Sequence, residues 1–286
     1  RASVGVSDGA SAEKEFRRAM ELGTEFGEIA PQFAQSLLLQ GKFAQIIDEV
    51  PLEYAANDPD LQVLSRIHGV AHLGMGKAKL ARDAYQRALA IQPDDVQSQL
   101  GVISSYVAEQ NFGQARSVLD QVLAANGDNP AVWEFAGRLN SQLGDFQTAE
   151  SNFRRALELS DSETSGGTRV AALAGLANSL YEQGANDAAQ PYVDELLDIA
   201  PRALPSMLLA ARSAFVYEAW DLAQQYLQDI LSIYPDNRRA QMLLGAVHMR
   251  SGSLEQAEMY LSSVVAAQPG NISARQLLAE TQLQQQ

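Results

Sequence analysis

An all-α solenoid of paired antiparallel helices is the fold class this sequence predicts, and three observations carry it. Residues Pro130 to Ser160, PAVWEFAGRLNSQLGDFQTAESNFRRALELS, read as two short amphipathic helices around a Gly144-Asp145 turn. Trp133, Ala136 and Gly137 mark the first helix, Ala149, Phe153 and Ala156 the second, and the set recurs along the chain. Of the 286 residues 46% are apolar and 20% charged. No apolar run approaches the ~18 residues that would span a bilayer. One such unit cannot bury its own apolar face, so stacked copies are required.

The offsets, W-x2-A-G, a turn glycine, then A-x3-F-x2-A, resemble those of a tetratricopeptide repeat. The resemblance implies a right-handed superhelical solenoid with a long concave face. Its stability is roughly a sum over neighbouring repeats. The reasons for the marked positions are local. Gly or Ala at the eighth position and Ala at the twentieth let two helices approach, and a bulky twenty-fourth residue fills the space between repeats.

Taken in order, residues 1–10, RASVGVSDGA, are small, polar and aperiodic, and are expected to be a disordered N-terminal remnant. The solenoid covers 11–286. Ala12, Phe16 and Ala19 form a second-helix signature with no first helix before it, a partial repeat at 11–26. The chain, which starts with Arg and shows no signal peptide, therefore reads as an excised piece. Complete repeats are expected near 27–61, 62–95, 96–129, 130–163, 170–203, 204–237 and 238–271, with a final helix at 272–284.

Several residues make individual repeats irregular. Pro31 is tolerated in a helix's first turn, and Pro51 should stop the second helix of its repeat early. The insertion DSETSGGTR, Asp161 to Arg169, is expected to be a surface loop. Pro191 should bend its helix slightly. In the repeat from Leu204, Ala219 is read as standing where the turn glycine usually sits.

Charge and composition exclude whole classes of function. The formal net charge is −14, with 35 acidic against 21 basic residues, the wrong sign for nucleic acid or for direct contact with an anionic membrane. Cysteine is absent, so there are neither disulfides nor thiolate sites. His68 and His72 lie four apart on a helix, but no acidic residue completes an H-E-x-x-H signature, and both read as packing residues, as does His248. Ser165 to Thr168, SGGT, lacks the lysine of a phosphate-binding loop. Asp94-Asp95 reads as a cap at a repeat junction. No catalytic residue, metal or cofactor is expected, and the chain reads as non-enzymatic.

Two segments are more distinctive: EKEFRRAMELG (Glu13 to Gly23) and LLLQGKFAQIIDEVPLE (Leu37 to Glu53). With Ala240 to Glu280 they resemble the repeat lipoproteins of bacterial exosortase (PEP-CTERM sorting) systems. That resemblance implies a lipoprotein on the periplasmic side of the outer membrane, associated with exopolysaccharide export or protein sorting. Its membrane contact would be only through an anchor absent from this sequence.

In peptide-binding tetratricopeptide domains, positions 2, 5, 9, 12 and 13 of each first helix face the groove. Here they select Arg66, Arg138, Arg212, Arg239 and Arg250, against Glu28, Glu134 and Glu182, with Gln142, Asn178, Tyr181 and Phe215 among them. Arginine forks suit carboxylates, and aromatic faces suit a peptide or a sugar ring. These residues are the candidate contacts for protein or peptide ligands. Two readings stay open: recruitment of a ligand, or pairing of the arginines with Glu134 and Glu182. The Lys and Asn clamp of chaperone-binding relatives is not reproduced. Direct binding of an anionic polysaccharide, or a structural module of a longer parent, are the alternative functions.

Overall fold

Each helix pair turns on one residue with positive φ. Gly41, Gly76, Gly144, Gly184 and Gly252 supply it at φ of 69° to 81°, a region closed to most side chains. In two repeats the same turn is made without glycine, by Gln110 at φ 58° and Glu218 at φ 60°. The sixth turn is thus Glu218, not Ala219, which has an ordinary φ of −82° and precedes the next helix. With no glycine to mark the register, the sequence pattern is ambiguous by one residue there.

A computed structural model of the protein describes residues 6–160 and 166–285. Among them are sixteen α-helices, one 3-10 turn and no strand. The chain forms two compact units, Arg1–Gly127 and Asp128–Gln286. The first holds α1 (Val6–Glu21), α2 (Phe26–Leu39), α3 (Phe43–Glu49), the 3-10 turn (Leu52–Tyr54), α4 (Asp58–Gly74), α5 (Ala78–Ile91), α6 (Val96–Ala108) and α7 (Phe112–Ala125). The second holds α8 (Pro130–Gln142), α9 (Phe146–Leu159), α10 (Gly166–Glu182), α11 (Asn186–Ile199), α12 (Leu204–Val216), α13 (Trp220–Ile233), α14 (Arg238–Arg250), α15 (Leu254–Ala267) and α16 (Ile272–Gln284).

Four of the first helices, α6, α8, α14 and α16, begin on side-chain caps supplied by the repeat junctions, whereas α2 and α12 start without one. Asp95, Asn129, Asn237 and Asn271 each accept from a backbone N–H two or three residues on, satisfying a donor the helix leaves unpaired. Asp95 does more than cap, since its Oδ2 also accepts from Gln62 Nε2 of the preceding repeat at 2.9 Å.

In the N-terminal unit, Phe33, Leu37, Ile46 and Leu64 are fully buried in one cluster. The seven-residue α3 is half the length of α5 or α7 and stops at Glu49, ahead of Pro51. His68 fills the place of the lost turn by hydrogen-bonding through Nε2 to the Val50 carbonyl at 2.8 Å. Burial lowers the His68 pKa, and the ring is held as a neutral packing group. His72 lies edge-on to it at 6.3 Å.

In the C-terminal unit one aromatic side chain is wedged between glycines of successive repeats. Phe153 on α9 is 2% exposed and packs against both Gly137 of α8 and Gly175 of α10. A Cβ at Gly137 would lie 2.6 Å from Phe153 Cδ1, closer than carbon atoms pack. Leu261 packs against Gly245 in the same way, in a cluster that Leu277 joins.

Two expectations about irregular segments are corrected. The aperiodic tail was expected to reach residue 10, but α1 starts at Val6, and Gly9 packs against Leu39 and the Ser36 carbonyl of α2. Residues 1–5 lie outside the described residues. The loop expected over Asp161 to Arg169 is cut short, because α10 starts at Gly166 and gains an extra turn. Arg169 pairs with Glu195 of α11, which ties that added turn down. Residues 161–165 lie outside the described residues. α11 runs unbroken through Pro191.

Candidate partner-binding groove

In the C-terminal unit, side chains of the first helices α8, α10, α12 and α14 meet one another along the array. Ser141 of α8 meets Ser179 of α10 at 3.3 Å. Arg212 of α12 donates from Nη1 to Glu182 Oε1 of α10 at 2.9 Å, and its guanidinium lies 4.8 Å from the Tyr181 ring centroid. Arg239 of α14 passes over α12 altogether and donates from Nη2 to Asn178 Oδ1 of α10 at 3.1 Å. A side chain spanning two repeats requires that the three helices curve toward one another, so this face is concave.

The cluster holds more positive than negative charge. Arg239 and Arg212 are close enough to repel while Glu182 faces both, and Arg239 is held below the usual guanidinium value. Loss of water around the guanidinium on burial is the larger cause and Arg212 the lesser, with Glu182 opposing them. Over a third of its surface still meets solvent, so this cation is surrounded without being sealed. Asn178 is oriented by its own bond from Nδ2 to the Ala174 carbonyl at 2.9 Å, which leaves Oδ1 toward Arg239.

The other selected residues are placed as follows. Arg138 on α8 is mostly exposed, lies 5.0 Å over Phe135 and sits 3.4 Å from Glu134 Oε1. Burial pushes the Glu134 carboxyl up, and Arg138 partly offsets this. Gln142 is exposed at the end of α8, and Arg250 is exposed at the end of α14. Tyr181 is buried, presenting a ring face that Arg212 covers. Phe215 packs edge-on to Trp220 at 5.3 Å on the side of the core, so its ring is directed inward. Arg66 belongs to the N-terminal unit, half-buried on α4 and 3.9 Å from Asp95.

Both pairs named as the alternative to ligand binding are formed, Arg138 with Glu134 and Arg212 with Glu182. Arg239 differs, since it donates to a neutral amide. Ser141 and Ser179 were not singled out in the sequence, because a serine at a helix crossing carries no signal of its own. No cluster of three or more His, Asp or Glu suited to a metal occurs among the described residues. No helix there is long and apolar enough to cross a membrane.

Family comparisons agree with this architecture. Two models described as tetratricopeptide repeats match the chain, one over residues 72–139 and 217–281 and the other over 142–203. Together they cover about two thirds of it. No curated protein sequence matches significantly. Among solved structures, a chain of the APC/C hetero-tetramer Cut9–Hcn1 superposes with a TM-score of 0.71 at 16% identity, over 96% of this chain and 53% of that one. The present chain thus spans about half the length of that relative. PilF of Pseudomonas aeruginosa superposes with a TM-score of 0.63 at 16% identity, over 78% of this chain and 99% of its own. PilW, a type IV pilus biogenesis factor, gives 0.61 at 16% identity, over 76% and 98%. At such identities the likeness is one of fold. The repeat spacing, the glycine-wedged helix pairs and the matched models together place this chain in the tetratricopeptide-repeat family.

Proposed function

We propose that the protein is a non-enzymatic adaptor that holds an acidic segment of a protein partner in the groove of its C-terminal unit. Tetratricopeptide folds in general bind peptides and proteins in such a groove. The observation that carries the reading here is Arg239, which reaches across two repeats to donate to an amide, beside Arg212, with Glu182 the acidic group that faces both. A carboxylate entering between Arg239 and Arg212 would relieve their repulsion and find Asn178 at hand. The setting we favour is the periplasmic side of a bacterial envelope, in exopolysaccharide export or PEP-CTERM protein sorting. The Glu13–Gly23 and Leu37–Glu53 segments support it through their resemblance to exosortase-linked lipoproteins.

The test is a binding titration with a fluorescent Glu/Asp-rich decapeptide, a neutral decapeptide and polygalacturonate. Wild-type protein is expected to bind the acidic peptide, less so at high salt. The variant carrying Arg212→Gln and Arg239→Gln should lose that binding with an unchanged helical circular dichroism spectrum. Equal binding by wild type and variant sinks the reading. Retention of polygalacturonate in place of the peptide assigns the groove to an anionic polysaccharide instead.

A further inference from the structure

The groove of the C-terminal unit already contains a carboxylate of its own. Glu182 is the last residue of α10, and its Oε1 accepts from Arg212 Nη1 of α12 at 2.9 Å. It also faces Arg239 of α14, on which Arg212 acts as a repelling charge and Glu182 as an attracting one. Two guanidiniums thus share one glutamate, and the set of three carries a single net positive charge.

The three members are held differently. The Arg212 guanidinium lies over the ring of the buried Tyr181, a contact that does not depend on the ion pair. Arg239 donates to Asn178, which is itself tied to the Ala174 carbonyl one turn back on α10. Both cations are therefore positioned by neutral groups of α10. Glu182 is positioned by the cation it faces. Its side chain is 45% exposed against 26% for Arg212, so of the two it is the partner with room to leave. It also stands at the carbonyl end of α10, where the helix dipole disfavours a negative charge, and the last turn of that helix carries no basic residue to offset it.

We propose that Glu182 is a resident counter-ion that sets the charge of the ligand, so that the groove takes one carboxylate at the Arg212–Arg239 pair and gains little from a second one beside it. This rests on the reading of the groove as a site for acidic segments, and narrows it from acidic tracts to isolated acidic side chains. A first carboxylate entering between the arginines completes the charge balance. A second has to displace Glu182 from Arg212 and leave it beside two ligand charges, so the pair it makes is offset by the pair it breaks. Glu182 is thus a positioning residue, acting on the ligand through the arginines.

The experiment is fluorescence anisotropy with three decapeptides of otherwise neutral composition, holding no glutamate, one glutamate or two adjacent glutamates, against wild type and Glu182→Gln. The glutamine keeps the length of the side chain and an oxygen for Arg212, so the helical circular dichroism spectrum should not change. Wild type is expected to bind the one- and two-glutamate peptides within about threefold of each other, and the neutral peptide more weakly. In Glu182→Gln the two-glutamate peptide should bind about fivefold tighter than the one-glutamate peptide, as one additional charge pair partly open to water allows. A change of shape alone in the variant would move the affinities together and leave their ratio as it was. Equal ratios in the two proteins, with wild type still binding, overturn the role of Glu182 and leave the groove reading standing. So does a wild type that already favours the two-glutamate peptide by about fivefold. Failure of wild type to bind either glutamate peptide overturns the groove reading itself, and this inference with it.

Discussion

Arg239 donates a hydrogen bond to Asn178 across the full width of α12, at 3.1 Å and over 61 residues of sequence. The bond fixes how far α10 and α14 can separate, so it links groove curvature to two named side chains. Asn178→Ala and Arg239→Ala, combined in a double-mutant cycle of urea unfolding, should show a coupling of about 0.5–1.5 kcal/mol, the size of one hydrogen bond to a charged group partly open to water. Strict additivity would mean that the bond is not populated in solution.

The wedge of Phe153 between Gly137 and Gly175 predicts an overpacking cost at either glycine. Gly175→Ala should lose about 1–3 kcal/mol of unfolding free energy, because the added carbon meets a buried ring that has nowhere to move. Adding Phe153→Leu should recover part of the loss, since Leu261 occupies the matching place against Gly245. Calorimetry of the three proteins checks this. A second substitution that deepens the loss would show that volume is not the cause.

Gln110 and Glu218 hold left-handed backbone where five other repeats use glycine. Gln110→Gly and Glu218→Gly should each stabilise by about 0.5–1 kcal/mol, the backbone strain relieved less the entropy that glycine gains in the unfolded chain. Chemical denaturation at neutral pH reads this directly, and a destabilised Gln110→Gly protein would contradict it.

Glu13 predicts an acid transition in the N-terminal unit. Burial pushes its carboxyl up, but bonds from Lys42 at 2.6 Å, Gln40 at 2.8 Å and Arg17 at 3.0 Å outweigh this and hold it at about 2, below the ordinary 4.5. A carboxylate with a depressed folded pKa contributes its full stabilisation above 4.5 and loses it as pH falls toward about 2. α1 should therefore loosen over that interval. Glu13→Gln should remove the pH dependence and cost about 1–3 kcal/mol at pH 7. Amide exchange of Arg17 and Met20 against pH is the measurement. Protection that is flat down to pH 2 in the wild type would remove Glu13 from this role.

The fold class was legible because spacing alone encodes it: Ala149, Phe153 and Ala156 recur at positions that only a helix pair explains. Where a marker residue was missing the reading drifted, as at Glu218, whose turn looks like any charged surface position. The start of α10 was hidden for a different reason. Gly166 and Gly167 read locally as breakers, while Arg169 and Glu195, 26 residues apart, add a tie that composition does not show. The register proposed groove-facing positions, but it carried no information on their partners. Whether Arg212 meets Glu182, or Arg239 meets Asn178, depends on the angle between successive repeats. Phe215 was placed in the groove by its register and turns to Trp220 because that aromatic, outside the pattern, offers a larger contact.

The short α3 has a consequence for how the N-terminal unit comes apart. In a linear array each repeat is held only through its neighbours, so cooperativity passes along the chain link by link. Seven residues provide barely two turns of contact, and one carbonyl at Val50 depends on His68 rather than on a continuing helix. Opening should begin at this link, exposing residues 50–57 to proteases while α4 onward stays folded. The first fragment released would then be α1 to α3, and its boundary would mark the weakest joint of that unit.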